Sequence, residues 1–414
     1  MKLRIDAAKL SAELDALGAF SDAPAPAVTR VVFSETDLRA RSFFKTLCRD
    51  AGLDVREDAA GNTFARWRGE EPQLAAVATG SHIDALPHAG RFDGTVGVLG
   101  GLEAIRGLQR AGARPRRPVE LIAFTSEEPT RFGIGCLGSR LVAGALDSSA
   151  GTRLRGNDGR TLDETREAAG FSGALDAVRM EPGHYAAFVE LHIEQGPLLE
   201  QRGIPLGVVS AIAAPAGVRL TIEGEGGHAG AVLMPARHDA FLAAAEIALA
   251  LENAAKSSGA IDTVATTGVC QVFPGAVNSI PSRVQLEIDV RDIVEARRDE
   301  VLGALDAACA EVAARRGIRV AKEVINVDAP AACATQVTSA LETAARKHQL
   351  EFMRMVSRAY HDSLFMARIA PMGMLFIPCR GGVSHRPDEY AAPEAIARGS
   401  LVLAETLLEL ANAV

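Results

Sequence analysis

Short apolar runs alternate with segments of helical period over the first half of the chain. Leu74–Thr79 and Val119–Thr125 read as buried strands, and between them Val98, Leu102, Ile105 and Leu108 recur at helical spacing. Strand–helix–strand alternation predicts an open α/β sheet with mostly parallel strands. From about Ala213 the rhythm changes. Val218, Leu220 and Ile222 alternate with polar residues, Ala236–Leu251 has a helical pattern, and Thr263–Phe273 and Ser282–Val290 read as strands joined through Pro274-Gly275. A helix over Val294–Arg316 and a strand over Ile318–Ile325 complete the order βαββαβ, the ferredoxin-like pattern. The chain then returns to its first rhythm, with an apolar run Met372–Ile377 and a last helix from about Pro393. The expected organisation is a catalytic domain of residues 1–212 and 329–414, interrupted by an inserted domain of residues 213–328.

Composition narrows the partners. With 44 basic against 52 acidic residues the net charge is −8, which lacks the basic footprint that nucleic acid needs. One Trp and three Tyr make no base-stacking platform. The six cysteines are scattered without a Cys-x-x-Cys pair, as expected of reduced thiols. No apolar run approaches the roughly 20 residues that cross a bilayer, and Met1–Asp6 has no apolar leader core. The expected location is the cytoplasm, with no membrane partner.

The chemistry lies where strands end. In open α/β sheets ligands bind beyond the carboxyl ends of the strands. There the sequence places His82, within Gly80-Ser-His-Ile-Asp84, and the pair Glu127-Glu128; Asp93 follows in Phe92-Asp-Gly94. His192 lies in Val189-Glu-Leu-His-Ile-Glu194, where alternation puts Glu190, His192 and Glu194 on one polar face. His385 follows the Met372–Ile377 run. Each residue alone reads as an ordinary loop or core side chain. Together His82, Asp93, Glu128, His192 and His385 suit divalent ions such as zinc or manganese, with Asp93 the first choice to bridge two of them. A divalent metal lowers the pKa of water from about 15.7 to near 7, and Glu127 is the expected catalytic base and acid beside it.

The inserted segment offers His228, in Gly226-Gly-His-Ala-Gly230, Asn278 and Arg291. A His or Asn can stabilise an oxyanion, and an Arg can grip a carboxylate with two parallel hydrogen bonds. The reading without function is turn chemistry for His228 and Asn278, and a surface ion pair with Asp289 or Asp292 for Arg291. Gly133-Ile-Gly-Cys-Leu-Gly138 matches a dinucleotide fingerprint, but it begins about seven residues after the strand. Its glycines read instead as a tight turn near the metal site. No Gly-x-Ser-x-Gly elbow supports a serine nucleophile.

Taken together, Gly80-Ser-His-Ile-Asp84, Asp93-Gly94, Glu127-Glu128, His192-Ile-Glu-Gln-Gly-Pro197, His228-Ala-Gly230 and Ser384-His385 resemble the dinuclear-metal amidohydrolases. That family, of zinc-peptidase-like fold, includes allantoate, N-carbamoyl-L-amino-acid and ureidoglycolate hydrolases. The resemblance runs from about Asn62 to Glu389. It implies two ions per subunit, manganese or zinc, one held by His82, Asp93 and His192 and the other by Asp93, Glu128 and His385. It further implies a homodimer formed through the inserted domain, which closes over the site, with His228 reaching the partner subunit's site. Asn278 and Arg291 match substrate-binding positions, and Gln195 and His361 are expected beside the substrate. Ser357-Arg-Ala-Tyr-His-Asp-Ser363 is similar to the ureidoglycolate branch. Tyr360 stands where the other branches usually carry Gly, which favours a small substrate. The expected reaction is cleavage of the ureido C–N bond of a small ureido acid, with Arg291 and Asn278 holding its carboxylate. Carbamoyl-amino-acid or allantoate hydrolysis is the rival, and a non-catalytic ureide-binding protein the third reading.

Overall fold

A computed structural model describes residues 3–413. Two compact units emerge, one running to Ser210 and resuming at Ala332, the other spanning Ala211–Ala331.

The first unit is built on a twisted mixed sheet. Its centre is four parallel strands in the order Met372–Ile377, Tyr185–Ile193, Ala76–His82 and Val119–Phe124. Antiparallel strands flank them: Leu206–Ile212 beside Met372–Ile377, and Thr63–Trp67 then Asp54–Glu57 beyond Val119–Phe124. The four central strands are buried almost throughout, because helices such as Thr95–Arg110 and Pro393–Asn412 pack against them. The polar face of Tyr185–Ile193 does not meet solvent, and Glu190 and His192 are each 1% exposed. Glu190 is satisfied by Ser81 Oγ at 2.7 Å and by Ser363 Oγ at 2.6 Å. Glu194 lies past the strand end and instead caps the helix Leu198–Arg202, accepting from Leu198 N and Leu199 N.

Between His82 and Asp93 the chain forms a further short strand. Ala85–Ala89 pairs with Val28–Arg30, a local antiparallel ribbon that periodicity does not reveal in so few residues.

The second unit is a four-stranded antiparallel sheet in the order Val264–Phe273, Arg283–Asp292, Ala214–Glu223 and Arg319–Val327. Helices Ala240–Ser257 and Glu295–Arg316 pack with it, which gives the ferredoxin-like order. The strict alternation of Arg283–Asp292 buries Val284, Leu286, Ile288 and Val290 against this helical layer. The first helix starts four residues later than its pattern predicts. Pro235 sits in a 3-10 turn at Met234–Ala236, and Asp239 supplies the N-cap by accepting from Phe241 N and Leu242 N.

Candidate active site

The four parallel strands deliver the site residues at their carboxyl ends. His82 ends Ala76–His82, Glu127 and Glu128 follow Val119–Phe124, His192 lies next to last in Tyr185–Ile193, and His385 follows Met372–Ile377. Asp93 precedes the helix Thr95–Arg110. Gly94 between them has φ +64°, and a Cβ there would lie 2.4 Å from the His82 ring, so the approach of this helix requires glycine.

Asp93 is the hub. Its Oδ1 lies 3.1 Å from His192 Nε2 and 3.7 Å from His82 Nε2, and its Oδ2 lies 3.0 Å from His385 Nε2. Glu128 Oε1 stands 3.8 Å from His385 Nε2. The structure thus brings together His82, Asp93 and His192 in one group and Asp93, Glu128 and His385 in a second. His82 Nδ1 lies 3.1 Å from the Asp84 carbonyl and His192 Nδ1 lies 2.9 Å from the Ile193 carbonyl. Each Nδ1–H therefore donates outward and turns Nε2 inward, that of His82 toward the Asp93 and Glu127 carboxylates and that of His192 toward Asp93 and the Gly94 N–H at 3.2 Å. Facing electron pairs at these distances need a cation or a shared proton between them, and the donor set of imidazole and carboxylate fits a divalent transition metal.

Electrostatics agree. Burial works to raise the Asp93 carboxyl, yet the imidazoles of His192, His385 and His82 hold it well below the usual carboxylate range. Burial opposes a charge on His82, but Glu127, Asp84 and Asp93 together push it well above the usual imidazole value. Glu128 is driven well up by burial, then by the charges of Glu127 and Asp93. This crowding of carboxylates is what a divalent ion relieves. Glu127 is raised chiefly by burial; its Oε2 lies 3.7 Å from His82 Nε2 and its Oε1 accepts from the Cys136 thiol at 3.2 Å. Cys136 belongs to the glycine-rich run, so that turn serves Glu127 rather than a nucleotide.

Gln195, at φ +55°, donates from Nε2 to Asp93 Oδ2 at 2.8 Å, while its buried Oε1 has no protein partner. His361 is buried with its ring centroid 4.6 Å from that of His192, and burial, then His192, keeps it neutral by pulling its pKa well down. Tyr360 stacks on Phe365, with its hydroxyl 3.4 Å from Arg140.

Sequence reasoning missed the supports. The Asp84 carboxylate accepts from Glu127 N at 3.2 Å and Glu128 N at 3.1 Å, so one residue orients His82 and anchors both glutamates. Glu389 accepts from Phe92 N and Asp93 N through Oε1 and from Ser384 Oγ through Oε2. Asp84 stood inside a quoted motif; nothing local marked Glu389.

In the second unit His228 and Asn278 fall together. Gly227–His228 pairs with Ser279–Ile280, Asn278 O accepts from Ala229 N at 2.9 Å, and both residues are exposed. Arg291 does not join them. It holds Asp289 through Nε at 2.7 Å and Nη2 at 3.1 Å, the ion pair weighed above. It also lies at the far end of Arg283–Asp292, eight residues from Arg283 at about 3.4 Å each, roughly 27 Å along the strand. One chain cannot close Arg291 and Asn278 on a single small carboxylate, because the hairpin carries them at opposite ends.

Comparison with known proteins makes the chain a hydrolase of C–N bonds. Residues 78–409 match Peptidase family M20/M25/M40, and the chain belongs to that family. It is 53% identical over 411 residues to the ureidoglycolate hydrolase of Oryza sativa subsp. japonica, covering 98% of this chain and 85% of the relative. It is 38% identical over 409 residues to the N-carbamoyl-L-amino acid amidohydrolase of Geobacillus stearothermophilus, covering 99% of each. The crystal structure of AtUAH in complex with (S)-hydroxyglycine matches with a TM-score of 0.89 at 50% identity, covering 99% of this chain and 98% of that one. No helix among the described residues is long and apolar enough to cross a membrane.

Proposed function

We propose that this chain hydrolyses the ureido C–N bond of a small ureido acid, ureidoglycolate foremost, with release of ammonia and carbon dioxide. The observation that carries the substrate is the higher identity to ureidoglycolate hydrolase than to carbamoylase, over nearly the whole chain in each case. Water adds to the ureido carbonyl carbon, the bond to the terminal nitrogen breaks and ammonia leaves. The carbamate left behind loses carbon dioxide to give the free amine. His82, Asp93 and His192 would hold one divalent ion, and Asp93, Glu128 and His385 a second, manganese or zinc. Such ions polarise a carbonyl and acidify water. Glu127 takes the proton of the attacking water and passes it to the leaving nitrogen; its burial favours the protonated form that the second transfer needs. Gln195 holds Asp93 and presents its free Oε1 to a donor such as a ureido N–H. Tyr360 and His361 bound the substrate.

The separation of Arg291 from His228 and Asn278 supports a homodimer. Arg291 grips the substrate carboxylate in one copy, while His228 and Asn278 act on the site of a second. The large exposed hydrophobic side chains among the described residues all fall in the inserted unit, Leu233, Met234, Leu249 and Ile261 among them, which suits a self-association surface.

The test is a turnover panel of ureidoglycolate, allantoate and N-carbamoyl amino acids on metal-stripped protein reloaded with manganese or zinc. Metal-dependent ammonia release greatest for ureidoglycolate is the expected result. Preference for a bulky carbamoyl amino acid would move the chain to the carbamoylase reading, which its full-length similarity to that enzyme keeps as the alternative.

A further inference from the structure

We propose that Arg30 is a positioning residue for the active site: its guanidinium clamps the backbone between His82 and Asp84 to the N-terminal segment and so sets both the His82 ring and the Glu127-Glu128 turn. The residue lies outside 78–409, the stretch matched to the family.

Arg30 is wholly buried, and its bonds go to backbone carbonyls. Nε donates to Ile83 O at 2.5 Å, while Nη1 donates to Leu17 O at 2.9 Å and to Phe20 O at 2.7 Å. Leu17 belongs to the last turn of the helix Ala7–Gly18, where a cation is favoured, and its carbonyl also accepts from Phe20 N at 3.2 Å. The pairing of Arg30 with Ala85 brings the side chain to the 82–84 turn. Asp37 and Asp84 are the charges that favour the guanidinium here, against burial, which pulls it down to about 10 and leaves it ionised at neutral pH.

The Ile83 carbonyl belongs to the planar peptide unit that begins Asp84. Holding that plane sets the position of the Asp84 Cα, which carries the carbonyl that receives His82 Nδ1–H and the carboxylate that receives Glu127 N and Glu128 N. Arg41 acts alike on the neighbouring strand end. Its Nε pairs with Asp37 at 2.7 Å and its Nη1 reaches Gly61 O at 2.7 Å and Thr125 Oγ1 at 3.2 Å, two residues before Glu127. A lysine at position 30 has a single ammonium and no fork to span carbonyls from two segments.

The inference rests on His82 being a metal ligand, so the test reads metal binding apart from turnover. Metal-free wild type, Arg30→Lys and Arg30→Gln are titrated with Co(II), following visible absorption, with unfolding followed in parallel. The expected result is a folded Arg30→Lys whose Co(II) affinity falls by about tenfold or more, as loss of support behind a ligand does, with an altered Co(II) band. Its kcat falls while KM stays close to wild type. Wild-type affinity, band and kcat in the lysine variant would overturn the inference alone. If neither variant folds, Arg30 serves core stability only and the inference is overturned. A wild type that takes up no Co(II) sinks the ligand reading and the inference together.

Discussion

Asp84 is the residue on which two site elements meet, so its removal gives the sharpest prediction. In Asp84→Ala the backbone N–H groups of Glu127, half-buried, and Glu128, buried, lose their acceptor. A buried donor left without a partner costs about 1–3 kcal/mol, which applies in full to the Glu128 N–H, while the half-buried Glu127 N–H adds about 1 kcal/mol or less, about 1–4 kcal/mol together. That is a large part of the roughly 5–15 kcal/mol by which a typical domain is stable. Asp84→Asn keeps one acceptor oxygen but turns an amide N–H toward the other donor, so it should lose about half as much, about 0.5–2 kcal/mol. The assay is urea unfolding of the metal-free protein followed by fluorescence of Trp67, the single tryptophan, which lies in the Thr63–Trp67 strand of the same sheet. The midpoint should fall in the order wild type, Asn, Ala, with the denaturant slope unchanged. Turnover of the Asn variant should fall about 100-fold, the usual penalty for displacing catalytic groups by an ångström. An Asp84→Ala protein within about 0.5 kcal/mol of wild type would refute the reasoning, since the buried Glu128 N–H alone costs about 1 kcal/mol or more without an acceptor.

Glu127→Gln should keep its metal content by elemental analysis yet lose about 10²–10⁴ in kcat; near-normal turnover would remove Glu127 as the proton carrier. Leu249→Arg, on the exposed side of Ala240–Ser257, should give monomers in sedimentation and abolish turnover with them, whereas a fully active monomer would defeat the two-copy site. Arg316, then Arg315, hold the Glu246 carboxyl down from 4.5 to about 2. A depressed carboxyl contributes stability above its unfolded value, so this contribution is present at neutral pH and fades as pH falls from about 4.5 toward 2. The pair is open to solvent, so Glu246→Gln should cost under about 1 kcal/mol at neutral pH and low salt. The difference should shrink in high salt, and a loss that salt does not reduce would rule out the ion pair as its cause.

Much of the fold is legible because periodicity is local. Met372–Ile377 and the start of the last helix at Pro393 emerge with their expected bounds, since an unbroken buried run and a proline at a helix's first position are signals carried by adjacent residues. Shifts appear where one capping residue competes with a longer pattern, as Asp239 does in delaying its helix. The face of Tyr185–Ile193 was legible as polar, but whether it met solvent or a site depended on its neighbours in the sheet.

By itself the sequence determined the element types, the ferredoxin-like order of the insertion and the candidate ligands His82, Asp93, Glu128, His192 and His385, with Glu127 beside them as the candidate base. Only tertiary structure decided which donors face one another, and that Asp84, Glu389 and Arg30 stand behind them. It also set Arg291 and Asn278 apart. The reason is that residue type and spacing act along the chain, while convergence depends on strand order. Ser384 lies 291 residues from Asp93, yet its hydroxyl donates to the Asp93 carboxylate at 3.0 Å because their elements share one end of one sheet.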